Sequence, residues 1–264
     1  MSAVAVLLLL TLAPLTAQPD RDQAQAHHIE GWRLIMDAGR WTDAEAAFRA
    51  AMTADASWVL GRALVARITT DVDEREGLLG WIEAHLGDAA PDERLLIDSY
   101  VLGIRAANAR DRGASMPEGF AEERVALAMT NFRAYLQQHP TAPYISAELI
   151  EWIHHAEGAE AALDALQDEV HPEAAQVPFL QRYRAVLLSE VGRHDEAMAQ
   201  ANAFEAAMTD PLAPSPHVLH AQLLYDRGQL DEAKARIETA VAMDAANMTA
   251  QGLQRAIDAA LAEP

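Results

Sequence analysis

Ala221–Ala246, AQLLYDRGQLDEAKARIETAVAMDAA, reads as two short amphipathic helices folded against each other around one glycine. Val218, Ala221, Leu224 and Tyr225 share one side of the first helix. Gly228 opens the turn, and Leu230, Ala233, Ile237 and Ala240 recur at helical spacing on one face of the second. A lone helix pair cannot bury both of its faces, so the pattern demands neighbours of the same kind.

Those neighbours are present. Gly39 is followed by Ala44, Phe48 and Ala51, Gly192 by Ala197, Ala201 and Phe204, and Gly228 by Ala233, Ile237 and Ala240, always at offsets of 5, 9 and 12. Small residues at these places let the second helix lie close to its partner, and the larger ones fill the space between repeats. Gly158 heads a weaker copy, with Ala162 and Leu166 one residue early. Gly158, Gly192 and Gly228 succeed one another at 34 and 36 residues, near the roughly 34-residue period of one helical repeat class. On these residues the chain resembles tetratricopeptide repeat (TPR) proteins, with Ala185 and Ala221 standing where the family places a small residue in its first helix. The resemblance covers the first repeat and the C-terminal half well, and Trp58 to Gln138 poorly.

The expected fold is therefore all-α: a TPR-like solenoid of about six antiparallel helix pairs with a C-terminal capping helix, spanning residues 18–264. Aromatic residues make up only 6% of the chain, so the core must be built from Ala, Leu, Val and Ile at close range. Runs rich in Val, Ile, Thr and Tyr bounded by turns are missing, which argues against a sheet.

Residues 1–17, MSAVAVLLLLTLAPLTA, carry no charge and give way at once to the polar QPDRDQ. The apolar run is shorter than the roughly 20 residues of a spanning helix and ends in small residues, so it reads as a secretory signal, cleaved or kept as an anchor. The expected location is outside the cytoplasm, periplasmic or secreted. With no cysteine, the chain can carry neither a lipid on sulfur nor a disulfide. Its formal net charge of −20 lies wholly after residue 17 and disfavours nucleic acids and anionic membranes. Membrane association is expected only through the N-terminal segment.

Along the chain, the first pair runs from about Ala24 to Ala54, with Thr42 to Glu45 as a capping box. A second pair covers Ser57–Ile68 and Glu74–His85, closed by Gly87. Pro91 opens a long helix to about Ala109, a polar loop (ARDRGASMPEG) follows, and another helix begins near Pro117 and stops at Gln138. The fourth pair starts at Thr141–Pro143 and turns at Gly158. The fifth spans about Val177 to Met208, and Pro216, behind Ser215, opens the sixth. Asn247 caps a last helix whose apolar face is Leu253, Ile257 and Leu261.

The common catalytic signatures are missing: no glycine-rich phosphate loop, no GxSxG, no HExxH. His27–His28 and His154–His155 are adjacent and so diverge on a helix, whereas His217 and His220 can share a face but supply only two ligands of the three or four a zinc site needs. No cofactor, metal or catalytic residue is expected. In the family the first helix of each pair lines an inner surface that holds peptides or partner helices, and the resemblance extends this role to residues counted back from the turn glycines. These are Arg33 and Asp37 in the first pair, His155 in the fourth, Arg182 and Glu190 in the fifth, and Gln222, Tyr225 and Asp226 in the sixth. Their mixed charge suits a polar partner, with arginines to meet carboxylates. The expected function is a noncatalytic interaction scaffold for another protein or peptide at a bacterial cell envelope. The alternative is a helical enzyme or metal-binding protein with a site at the loop of residues 110–119 or at His217 and His220.

Overall fold

A computed structural model describes residues 19–262. The chain is all-α: among the described residues there are thirteen α-helices and no strand. The helices are α1 (Arg21–Trp32), α2 (Trp41–Ala54), α3 (Val59–Ile68), α4 (Val72–His85), α5 (Pro91–Asp111), α6 (Phe120–Gln138), α7 (Pro143–Glu157), α8 (Ala159–Asp168), α9 (Pro178–Glu190), α10 (His194–Ala207), α11 (Ser215–Asp226), α12 (Leu230–Met243) and α13 (Met248–Ala262). Each odd-numbered helix from α1 to α11 packs on the even-numbered helix that follows it, and α13 packs on α12 and α11. The signal expected at residues 1–17 lies outside the described residues.

The repeated glycines do the same work three times. Gly39, Gly192 and Gly228 take φ of 74°, 79° and 72°, the left-handed region that costs a side-chain-bearing residue about 1–2 kcal/mol. In the last two hairpins the next amide closes the turn, Arg193 N–H donating to Leu188 O at 2.8 Å and Gln229 N–H to Leu224 O at 2.9 Å. All nine residues at the repeated offsets are buried, none more than 5% exposed. At Gly158 the backbone is different, with φ 94° and ψ 177°, and α8 starts at the very next residue. That shorter turn is why its alanine falls one place early. The first hairpin has its own deviation: the last turn before Gly39, Arg33–Ala38, is π-helical, which inserts one residue ahead of the glycine. Close approach in this hairpin also depends on Gly31, where a Cβ would stand 2.5 Å from the ring of Phe48.

Several helix ends differ from the sequence expectation. Thr42 does not cap α2, which begins at Trp41 behind Arg40. Instead its amide and hydroxyl donate to the Asp244 carboxylate at 3.1 and 2.8 Å, so the cap arrives from 202 residues away. Gly87 is not a left-handed stop; α4 tightens into a 3-10 turn, Leu86–Asp88. Helix α6 begins at Phe120 behind Gly119 rather than near Pro117, because a turn closed by Phe120 N–H on Pro117 O intervenes. Ser215 leaves α11 uncapped and donates its hydroxyl to Asp37 O at 2.7 Å. Asn247 does cap α13, accepting from Ala250 N–H at 2.8 Å.

The ties of the first hairpin decide the form of the inner surface. In a simple repeat array each unit touches only its neighbours. Here Asp37 accepts from Tyr144 of α7 and from the amide of Phe179 at the start of α9. Asn247 donates to Gly39 O, and Arg40 pairs with Asp210. The first hairpin is thereby tied to α7, to α9 and to the segments that precede α11 and α13, and residues of these elements line one cavity.

Candidate functional site

The cavity measures about 350 Å³, at the small end of the roughly 300–1,000 Å³ typical of ligand sites. Its walls repeat a single pattern. Phe179, Arg182, Tyr183 and Val186 of α9 face it, and so do Ser215, Val218, Leu219 and Gln222 of α11. Both sets have the i, i+3, i+4, i+7 spacing of one helical face. Trp32, Ile35, Met36 and Gly39 give the same spacing from the first hairpin. Arg67 reaches in from α3, and Glu148 and Glu151 from α7.

Charge is distributed unevenly over these walls. Glu148, 4% exposed, is fully engaged: Arg67 donates to it at 2.5 Å, and the Tyr100 hydroxyl donates to its other oxygen at 2.5 Å. Arg67 also lies over the rings of Tyr100 and Trp32, its guanidinium carbon 4.0 and 5.5 Å from their centroids. Solvent still reaches 34% of the Arg67 side chain through the cavity. Glu151 is half-buried one helical turn further on. Burial, and secondarily the charge of Glu148, push its pKa up to about 7, against the pull of Arg182 and Arg67. Arg182 is the counterpart with a missing acceptor. Burial lowers its pKa, Glu151 and Asp37 act on it only through space, and no acceptor meets its buried Nε among the described residues. The Phe179 ring lies below it, 4.8 Å from centroid to guanidinium carbon.

Of the residues expected to line the inner surface, Arg182 and Gln222 do so. Asp37 is 7% exposed and spends its carboxylate on Tyr144 and Phe179, so it acts as a structural tie. Arg33 bonds Glu30 and borders a different depression with Gln181 and Gln200. The cause is the π turn: the position six before the glycine, held by Val186 and Gln222 in the later hairpins, corresponds to Trp32, seven before Gly39. His155 is exposed and meets the Trp152 edge. Glu190 is exposed and bonds His154 at 2.7 Å. Tyr225 packs against the apolar cluster of α11–α13, and Asp226 accepts from Ser189 and Gln222 at 2.8 and 2.7 Å. Glu190 and Asp226 lie two residues before their glycines, too near the turn to point inward. The sequence reading missed Arg67, Glu148 and Glu151. The first belongs to the poorly matching middle third, and the other two need the register of α7, which the short Gly158 turn obscures.

Charged and polar contacts occupy the two alternative locations. Arg112 of the loop bonds Glu76 and Asp73 on α4, and Arg75 holds Asp111 at 2.8 Å. His220 Nε2 lies 3.0 Å from the Glu205 carboxylate, and His217 lies 3.3 Å from the guanidinium of Arg236. Among the described residues no group of three His, Asp or Glu is placed to hold a metal ion, and no helix is long and apolar enough to cross a membrane. In comparison with known proteins, the chain matches no family model, and no curated protein is significantly similar to it in sequence.

Proposed function

We propose that this chain is a noncatalytic binding protein of TPR-like construction, six helical hairpins and a capping helix, that holds part of another protein on its inner surface. The carrying observation is the repeated face. Three hairpins turn residues of identical helical spacing toward one cavity, and those residues include polar groups, Arg182 and Gln222, that a purely structural interior would avoid. The charged, apolar-lined hollow suits a flexible guest that carries both a charged and an apolar group. Export to a bacterial envelope follows the reading of residues 1–17 and belongs to the same proposal.

The test is retention of a partner from envelope extract by the immobilised chain, run beside Val186→Trp, which fills the cavity. A partner held by the parent and released by the folded variant supports the proposal. Equal retention by both moves binding off the cavity, and stoichiometric metal in the purified protein would replace the scaffold with a metalloprotein.

A further inference from the structure

We propose that the cavity is a site for an apolar monocarboxylate, with Arg182 receiving the carboxylate and the ring and aliphatic walls receiving the apolar body. This deepens the binding reading above and rests on it. The cavity holds two guanidinium groups, and among the described residues only that of Arg182 has no hydrogen-bonded acceptor. Arg67 is neutralised by Glu148, which Tyr100 also engages. Arg182 has no acceptor for its buried Nε, and an unmet buried donor costs about 1–3 kcal/mol. A planar guanidinium fork meets a carboxylate with two parallel hydrogen bonds, and Phe179 beneath it keeps the fork flat against the wall. Trp32, Ile35, Val186, Val218 and Leu219 offer apolar surface next to that fork.

One free positive charge selects one negative charge. A phosphate monoester, with about −1.5 to −2 at neutral pH, would leave surplus negative charge beside Glu148 and Glu151. Even a monocarboxylate adds an anion to this company. The groups that act on Glu151 are Glu148 on its own helix, Arg67 from α3, and Arg182 and Tyr183 from α9, while Tyr100 of α5 meets Glu148 and Asp37 acts on Arg182 from the π turn. A ligand carboxylate on Arg182 withdraws the attraction that helps ionise Glu151, so binding draws a proton onto Glu151. Affinity therefore falls as pH rises through about 7.

A free organic acid and the C-terminus of a peptide present the same chemistry. Titration calorimetry of the full chain with 3-phenylpropionate, with Ala-Ala-Phe, and with the C-terminal amides of both distinguishes them. The expected result is binding of at least one acid and an affinity lower by about tenfold or more for its amide. Arg182→Gln should cost a similar factor, and Glu151→Gln, whatever its affinity, should no longer show a decline as pH rises above about 7. Binding of the free acid assigns a small-molecule ligand; binding of the peptide alone assigns a chain terminus. Equal affinity for acid and amide, no binding of either acid, or a folded Arg182→Gln that binds unchanged would each overturn the proposal. A partner protein still retained by Arg182→Gln would keep the scaffold reading while this one fails. Unfolding midpoints of both variants confirm that a loss is local.

Discussion

Asn247 Oδ1 accepts from the α13 amide of Ala250 at 2.8 Å while its Nδ2 donates to the carbonyl of Gly39 at 2.8 Å. One amide side chain thus caps the last helix and holds the first turn, across 208 residues. Asn247→Ala should lower stability by about 2–3 kcal/mol, combining a lost cap with an unmet buried carbonyl. Asn247→Asp should keep the cap but set a buried carboxylate oxygen against the Gly39 carbonyl, and so cost at least as much as Asn247→Ala near neutral pH. Urea denaturation followed by circular dichroism measures both.

Gly39 and Gly228 have matching φ, 74° and 72°, but different surroundings. A Cβ at Gly39 would stand 3.2 Å from Asn247 Nδ2 and 3.3 Å from the Ser215 amide nitrogen, whereas one at Gly228 meets nothing within 4 Å. Gly228→Ala should cost about 1 kcal/mol of backbone strain, and Gly39→Ala about 1–3 kcal/mol more, since overpacking adds to the strain. Equal shifts in unfolding midpoint would mean that the first turn is not gripped as described.

Asp37 stitches the first hairpin to α7 and α9. Burial raises its pKa, although the hydrogen bonds from Tyr144 and Phe179 oppose the rise. The folded chain then holds this proton more tightly than the unfolded one, so Asp37 subtracts stability as pH climbs from the ordinary Asp range through its raised value, and carries the full cost at pH 7. Asp37→Asn should remove that slope from a stability profile between pH 3 and 7, a range of roughly the ordinary Asp value to neutrality. Asp37→Ala should cost about 3 kcal/mol, because the Phe179 amide and Tyr144 hydroxyl are both left unmet.

His28 sits among the rings of Trp32, Phe48 and Trp58, with centroids 6.4, 6.4 and 5.1 Å away. Burial lowers its pKa to about 4. Between that value and the ordinary 6.5 the unfolded chain binds the proton and the folded chain does not, so stability is lost on acidification through this window. His28→Phe should flatten that part of the profile, recovering about 3 kcal/mol at pH 4. Thermal melts of parent and variant at pH 7 and pH 4 decide it.

The helices and their hairpins were legible in the sequence because they depend on neighbours within a few turns. Apolar residues at helical spacing, glycines that accept positive φ, and small residues at fixed offsets act over distances that the primary structure records. Arg182 and Gln222 are placed inward by the tetratricopeptide resemblance, counted back from those glycines, and Asn247 as a cap by its residue type. Counting failed wherever a turn changed length: the π turn displaced Arg33 from the inner face in favour of Trp32, and the single-residue hinge at Gly158 hid Glu148 and Glu151.

Tertiary structure alone decided that the first hairpin meets the later ones. The partners that tie the first hairpin to the later helices, Asp37 with Phe179, Thr42 with Asp244 and Gly39 with Asn247, are 142, 202 and 208 residues apart. No local period predicts which distant donor an Asp or Asn will find, since any exposed polar side chain satisfies the same pattern until the backbone delivers a specific group to it. The charge state of the cavity has the same origin. Arg67 finds Glu148 while the buried Nε of Arg182 finds no acceptor among the described residues, and that difference arises from how α3, α7 and α9 converge around the cavity.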